Sequence, residues 1–121
     1  MTGRISIVDD NKDNLSVLES VLKAQGFDVI LAENGKDALE KARLSPPDLI
    51  VSDILMPVMD GYEATRKIRQ FEKENKRNAV RIVAMTANAL KSDRDKCLSV
   101  GMDDYISKPF QITELIRIFS T

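Results

Sequence analysis

Histidine and tryptophan are missing from this 121-residue chain, and cysteine occurs once. Without imidazole the chain can build neither a His-based nucleophilic triad nor a histidine zinc site, and it cannot carry a phosphohistidine of its own. Any phosphate chemistry must then rest on carboxylates. The single cysteine, Cys97, excludes an intrachain disulfide and fits a reducing compartment. Within Lys96-Cys97-Leu98, in a helical stretch, it reads as a small, partly buried apolar residue, not as a redox centre. No apolar run approaches the roughly 20 residues of a membrane-spanning helix. Met1-Thr2-Gly3-Arg4 leads straight into a strand-like segment, so neither a signal peptide nor membrane insertion is expected. Excess charge is lacking too. A formal net charge of −1 gives no electrostatic footprint for direct nucleic acid binding.

What is present suits one cytoplasmic domain over residues 1–121: 43% apolar residues to bury and 31% charged residues to keep it in solution. Short β-branched runs alternate with helical periodicity. Strands are predicted at Ile5–Val8, Val29–Ala32, Leu49–Ser52, Ile82–Met85 and Tyr105–Ser107, apolar and mostly unalternated, as parallel strands covered on both faces are. Helices are predicted at Asn14–Gln25, Lys36–Leu44, Tyr62–Glu74, Leu90–Val100 and Ile112–Phe119. Gly26 and Gly101 stand where helices need a left-handed terminator. Pro46-Pro47 stops the second helix, and Asp60 with Glu63 has capping-box spacing before the third. The mixed-charge run Glu72–Asn78 reads as a solvated helix end and loop. Five βα units in series predict an α/β fold, a doubly wound five-stranded parallel sheet with helices on both faces.

Ligands of such sheets bind beyond the carboxyl ends of the strands. After the first strand come Asp9 and Asp10, after the third Asp53, after the fourth Thr86 and after the fifth Lys108. Three crowded carboxylates repel one another, and a hard divalent cation relieves that repulsion. All-oxygen donors favour Mg²⁺, with Mn²⁺ as a substitute, over zinc. Aspartate is also a nucleophile in phosphoryl transfer, forming an acyl phosphate. Lys108, the Thr86 hydroxyl and the metal together offer one partner to each phosphoryl oxygen.

These residues resemble the response-regulator receiver domains of two-component signalling, and the likeness covers essentially the whole chain. Its landmarks are Val8-Asp9-Asp10-Asn11, the run from Asp53-Ile54-Leu55-Met56-Pro57 to Asp60-Gly61, Met85-Thr86-Ala87, and the run from Gly101-Met102-Asp103-Asp104-Tyr105 to Lys108-Pro109-Phe110. The resemblance implies a flavodoxin-like (βα)₅ fold with strand order 2-1-3-4-5. It implies Asp53 as phosphoacceptor, taking a phosphoryl group from a phosphohistidine donor in a Mg²⁺-dependent reaction. Asp10, Asp53 and the backbone carbonyl of Leu55 would ligate the metal, Asp9 would act through a metal-bound water, and Lys108 would pair with the phosphoryl group. The peptide before Pro109 would be cis. Gly61, just past Asp60, would open the third helix. Thr86 and Tyr105 would be the switch: Thr86 drawn to the phosphate, Tyr105 turning into the space it leaves. Leu55, apolar where some members carry a polar side chain, implies an acyl phosphate that is not unusually short-lived, and Asn88 flanks the same path. Such a domain is a signalling phosphoacceptor that assists its own phosphorylation and dephosphorylation, not an enzyme in the ordinary sense.

The segments around Met85–Leu90 and Gly101–Tyr105 look most like receivers of hybrid sensor histidine kinases, so the expected partner is a sensor histidine kinase or a histidine phosphotransfer domain. In the first helix Leu15, Val17, Leu18, Val21, Leu22 and Ala24 spread over about half the circumference, wider than the roughly 100° of a core stripe. One edge, near Leu15 or near Val17, is then free for a donor. Two other functions share this fold class. A flavodoxin-like electron carrier needs a phosphate-cradling loop where Asp9-Asp10 stands. A Mg²⁺-dependent phosphohydrolase wants an acid two residues after its nucleophile, where Leu55 stands.

Overall fold

Short apolar runs punctuated by Asn, Gly and Pro become the strands of one sheet. The structure, a computed structural model, describes residues 3–53, 59–86 and 91–107, with 113, 114 and 117. In chain order its elements are β1 (Arg4–Val8), α1 (Lys12–Ala24), β2 (Asp28–Ala32), α2 (Gly35–Leu44), β3 (Leu49–Asp53), α3 (Gly61–Glu74), β4 (Arg81–Thr86), α4 (Lys91–Ser99) and β5 (Asp104–Ser107). The strands pair in the order β2-β1-β3-β4-β5, all parallel. This is the architecture and order expected from the sequence. Of the predicted helix Ile112–Phe119, residues 113, 114 and 117 are helical and the rest lie outside the described residues.

Strand alternation divides the core in two. Ile5, Ile7, Leu49, Val51, Val83, Met85 and Ile106 face one way and meet Leu15 and Leu22 of α1. Val8, Ile50, Ile82 and Ala84 face the other way, toward Ala38 and Leu39 of α2, Ile68 of α3 and Cys97 of α4. Each fully buried aliphatic side chain contributes about 1.5–3 kcal/mol, so this two-sided burial holds the helices to the sheet. Cys97 is a buried packing residue, its sulfur 4.0 Å from the Tyr62 hydroxyl.

Several boundaries follow the punctuation. Gly26 (φ 95°) and Gly101 (φ 107°) take the left-handed backbone expected of them. The Asp60 carboxylate accepts from the Glu63 N–H at 2.9 Å, and α3 opens at Gly61. Two expectations need correction. Helix α1 begins at Lys12, ahead of the predicted Asn14, because the Asn11 side chain caps it by accepting from the N–H groups of Asp13 and Asn14. The polar run is not solvated throughout. Glu72 is buried, accepting from Arg69 Nη1 at 2.9 Å and from the Val80 N–H at 2.7 Å.

Gly35 opens α2 where it meets the approach to α3. Its N–H donates to the Met59 carbonyl at 3.0 Å. A Cβ there would lie 2.5 Å from that carbonyl oxygen and 2.9 Å from the Ala64 Cβ. Both obstacles are short and backbone-bound, so the helices must part. Gly35→Ala is expected to cost about 1–3 kcal/mol in urea unfolding, as overpacking does. An unchanged midpoint would show that α2 shifts freely.

Candidate functional site

The connection leaving β1 goes to β2 on one side, while β3 begins the run β3-β4-β5 on the other. That reversal opens a crevice beyond the carboxyl ends of β1 and β3. Register decides which side chains reach it. Val8 lies opposite Ser52, so Asp9 and Asp53 follow at the same level. Asp53 in turn lies opposite Met85, with Thr86 one residue beyond it.

One carboxylate oxygen each from Asp9, Asp10 and Asp53 lies within 4.8 Å of the others. Asp9 is 1% exposed, Asp53 9% and Thr86 6%, whereas Asp10 is open to solvent. Carboxylates held this close and this dry are costly unless a cation or donors compensate them. Opposite ligands of an octahedral Mg²⁺ stand about 4.2 Å apart. An all-oxygen cluster of this size fits one such ion, with Asp9, Asp10 and Asp53 as the residues to hold it.

Donors already grip Asp9. Its Oδ1 accepts from the Asn11 N–H at 3.0 Å and its Oδ2 from Asn14 Nδ2 at 3.3 Å. Asn11 belongs to the motif singled out from the sequence, but its hold on Asp9 is not evident there, and Asn14 is marked only as a helix start. The legible signal was Asn-x-x-Asn directly after the paired aspartates, three residues apart and therefore on one side of a helix start.

Thr86 and Tyr105 share a sheet face. Tyr105 lies opposite Ala84, and Thr86 comes two residues after Ala84 on the neighbouring strand. The half-buried Tyr105 ring has the Arg94 guanidinium carbon 5.5 Å from its centre. Of the other residues singled out from the sequence, Leu55, Asn88, Lys108 and Pro109 lie outside the described residues. The open edge of α1 is at Val17 (62% exposed) and Val21, whereas Leu15 is buried in the core. Among the described residues no helix is long and apolar enough to cross a membrane.

A parallel sheet in this order with acidic residues at its switch point defines a class, and comparison with known proteins agrees. The chain belongs to the response regulator receiver domain family, whose profile matches residues 5–120. It is thereby a signalling phosphoacceptor module and not an enzyme in the ordinary sense. The electron-carrier and phosphohydrolase readings fall with that assignment. The chain is 42% identical over 121 residues to hybrid signal transduction histidine kinase L of Dictyostelium discoideum, covering 98% of this chain and 7% of that protein. It is 42% identical over 134 residues to histidine kinase 3 of Arabidopsis thaliana, covering 94% and 13%. The chain thus spans only a small part of the kinases it matches. Among solved structures it is similar to the receiver domain of sensor histidine kinase PA1611 from Pseudomonas aeruginosa, which has a magnesium ion coordinated in its active-site cleft. That likeness has a TM-score of 0.86 and 42% identity, over 99% of this chain and 96% of the other. It is also similar to the Saccharomyces cerevisiae Ssk1 receiver domain, crystallised with the histidine phosphotransfer protein Ypd1. Here the TM-score is 0.89 and the identity 35%, over 97% and 86%.

Proposed function

We propose that this chain, as one receiver domain over residues 1–121, accepts a phosphoryl group on Asp53 from a phosphohistidine and changes conformation in response. The observation that carries the proposal is the convergence of Asp9, Asp10 and Asp53 within 4.8 Å at the sheet's switch point. In the transfer a carboxylate oxygen of Asp53 bonds to phosphorus, the phosphorus–nitrogen bond of the donor breaks, and the imidazole leaves with a proton. Mg²⁺ or Mn²⁺ would supply positive charge against the acidic cluster and the phosphoryl oxygens; Asp10, Asp53 and the backbone carbonyl of Leu55 would hold it, and Asp9 would act through a metal-bound water. Lys108 would pair with a second phosphoryl oxygen and the Thr86 hydroxyl with a third. The same groups serve the later hydrolysis of the acyl phosphate, with apolar Leu55 leaving water unassisted.

Donor and output follow from surface and charge. The exposed Val17–Val21 edge of α1 suits a helix of a sensor kinase or histidine phosphotransfer domain, and the co-crystal of the yeast receiver with a histidine phosphotransfer protein supports a partner of that class. Once phosphorylated, Asp53 draws Thr86 inward, and Tyr105 moves over Ala84 into the space released. The setting is cytoplasmic, where donor proteins and Mg²⁺ are both available. Incubation with acetyl phosphate tests the transfer. Intact-protein mass spectrometry should find one added phosphoryl group with Mg²⁺ present and at least about tenfold less with EDTA. Equal uptake under both conditions would reject metal-dependent transfer.

A further inference from the structure

We infer that Asn14 is a positioning residue for Mg²⁺: its side-chain amide turns the Asp9 carboxylate toward the metal. The inference rests on the phosphoacceptor reading above. Asp9 is nearly inaccessible at the end of β1 and shares a cluster with Asp10 and Asp53. A carboxylate with a free torsion presents its lone pairs in many directions. Here Asn11 N–H approaches Oδ1 at 3.0 Å and Asn14 Nδ2 approaches Oδ2 at 3.3 Å, both from the start of α1. An ionised carboxylate has about four lone-pair sites. One on each oxygen is engaged from the helix side, while a carboxylate oxygen of Asp9 lies within 4.8 Å of one each from Asp10 and Asp53.

Asn14 is not needed to cap the helix. That task falls to Asn11, whose Oδ1 accepts from Asp13 N at 2.9 Å and from Asn14 N at 3.1 Å. The Asn14 amide is thus left to address Asp9. Its chemistry suits that task. A lysine at this position would neutralise Asp9 and oppose the cation, whereas a neutral amide fixes an oxygen without spending the negative charge that attracts the metal. Outer partners of this kind typically tune metal affinity tenfold or more. The exposure of the α1 start, Asn14 included, places Asn14 at the lower end.

The test is an amide NMR titration of wild type and Asn14→Ala with Mg²⁺ and, separately, Ca²⁺. Mg²⁺ demands near-ideal octahedral ligands, while Ca²⁺ tolerates irregular ones. Loss of orientation should therefore raise the Mg²⁺ Kd about three- to tenfold and the Ca²⁺ Kd by less than about twofold. Asn14→Gln, which keeps the donor on a longer arm, should recover part of the Mg²⁺ affinity. Equal weakening for both ions, or an unchanged Mg²⁺ Kd, would overturn the inference. Failure of wild type to bind Mg²⁺ at all would instead strike the phosphoacceptor reading, and this inference with it.

Discussion

Asp53→Ala is expected to abolish the response to beryllofluoride, a phosphoryl mimic, while leaving the fold intact. In wild type with Mg²⁺, the mimic should shift the amide signals of Asp53, Thr86, Tyr105 and Lys108; in the variant those signals should stay in place. Uptake from acetyl phosphate should fall at least about a hundredfold, equivalent to about 2.7 kcal/mol of barrier. The reason is local. Asp53 ends β3 at 9% exposure, and its neighbours Asp9 and Asp10 are the only other carboxylates in the cluster found among the described residues. Asp9 is gripped at both oxygens from the α1 side, and Asp10 is solvated at the mouth. Neither would replace Asp53, at the end of the central strand, as the proposed acceptor. The reach to Tyr105 is the more demanding part. Thr86 must pull away from its resting place, and the tyrosine ring must leave the Arg94 guanidinium, a contact worth about 0.5–1 kcal/mol at an exposed site. Shifts confined to Asp53 would show a phosphoacceptor without this switch. A full response in the variant would place the acceptor elsewhere.

Arg69→Ala should lower stability more than any other single side-chain truncation considered for this domain, by about 2–4 kcal/mol. The guanidinium of this α3 residue binds at four points: Nε to the Gly101 carbonyl at 2.9 Å, Nη1 to Glu72 at 2.9 Å and to the Val80 carbonyl at 2.7 Å, and Nη2 to Asp103 at 2.9 Å. The exposures decide which contacts matter. Asp103, with a side chain 44% exposed, is well screened by water and adds little as an ion pair. Glu72, only 10% exposed, would be left as a buried charge with no guanidinium beside it. For a domain of this size the loss corresponds to a melting temperature lower by about 8–15 °C. Arg69→Lys should recover little, since one ammonium cannot span those acceptors. The network ties α3 to the starts of β4 and β5, at the end of the strands opposite the acidic crevice. Mg²⁺ affinity measured below the transition should accordingly match wild type. A melting temperature within about 3 °C of wild type would show that the four contacts are replaceable by water.

Much of this was legible residue by residue. Asp9, Asp10, Asp53 and Thr86 each follow or end a short apolar β-branched run, and such runs, punctuated by Gly26, Pro46, Pro47 and Gly101, read as strands and are strands. Where expectation and structure part, a contact distant in sequence or a side chain of double use is responsible. Glu72 looked solvated because its neighbours Lys73, Glu74 and Lys76 are. Its burial depends on Val80 and Arg69 closing around it. Helix α1 starts earlier than its periodicity suggests because Asn11, which reads as part of the acidic motif, also caps the helix with its side chain. The open edge of α1 could not be assigned from periodicity alone, since Leu15 and Val17 border the same broad stripe. Packing against the sheet settled it for Leu15 as core and left Val17 in water.

The amino-acid order alone determined the element sequence, the parallel α/β class and the set of oxygen donors, because hydrophobic periodicity and turn residues act over a few positions at a time. The register that levels Asp9 with Asp53, the crevice between β1 and β3, the grip of Asn14 on Asp9 and the tie of Arg69 across two strand starts were decided only by tertiary structure. Each joins parts of the chain whose distance depends on packing all the elements at once, and no local pattern carries that information.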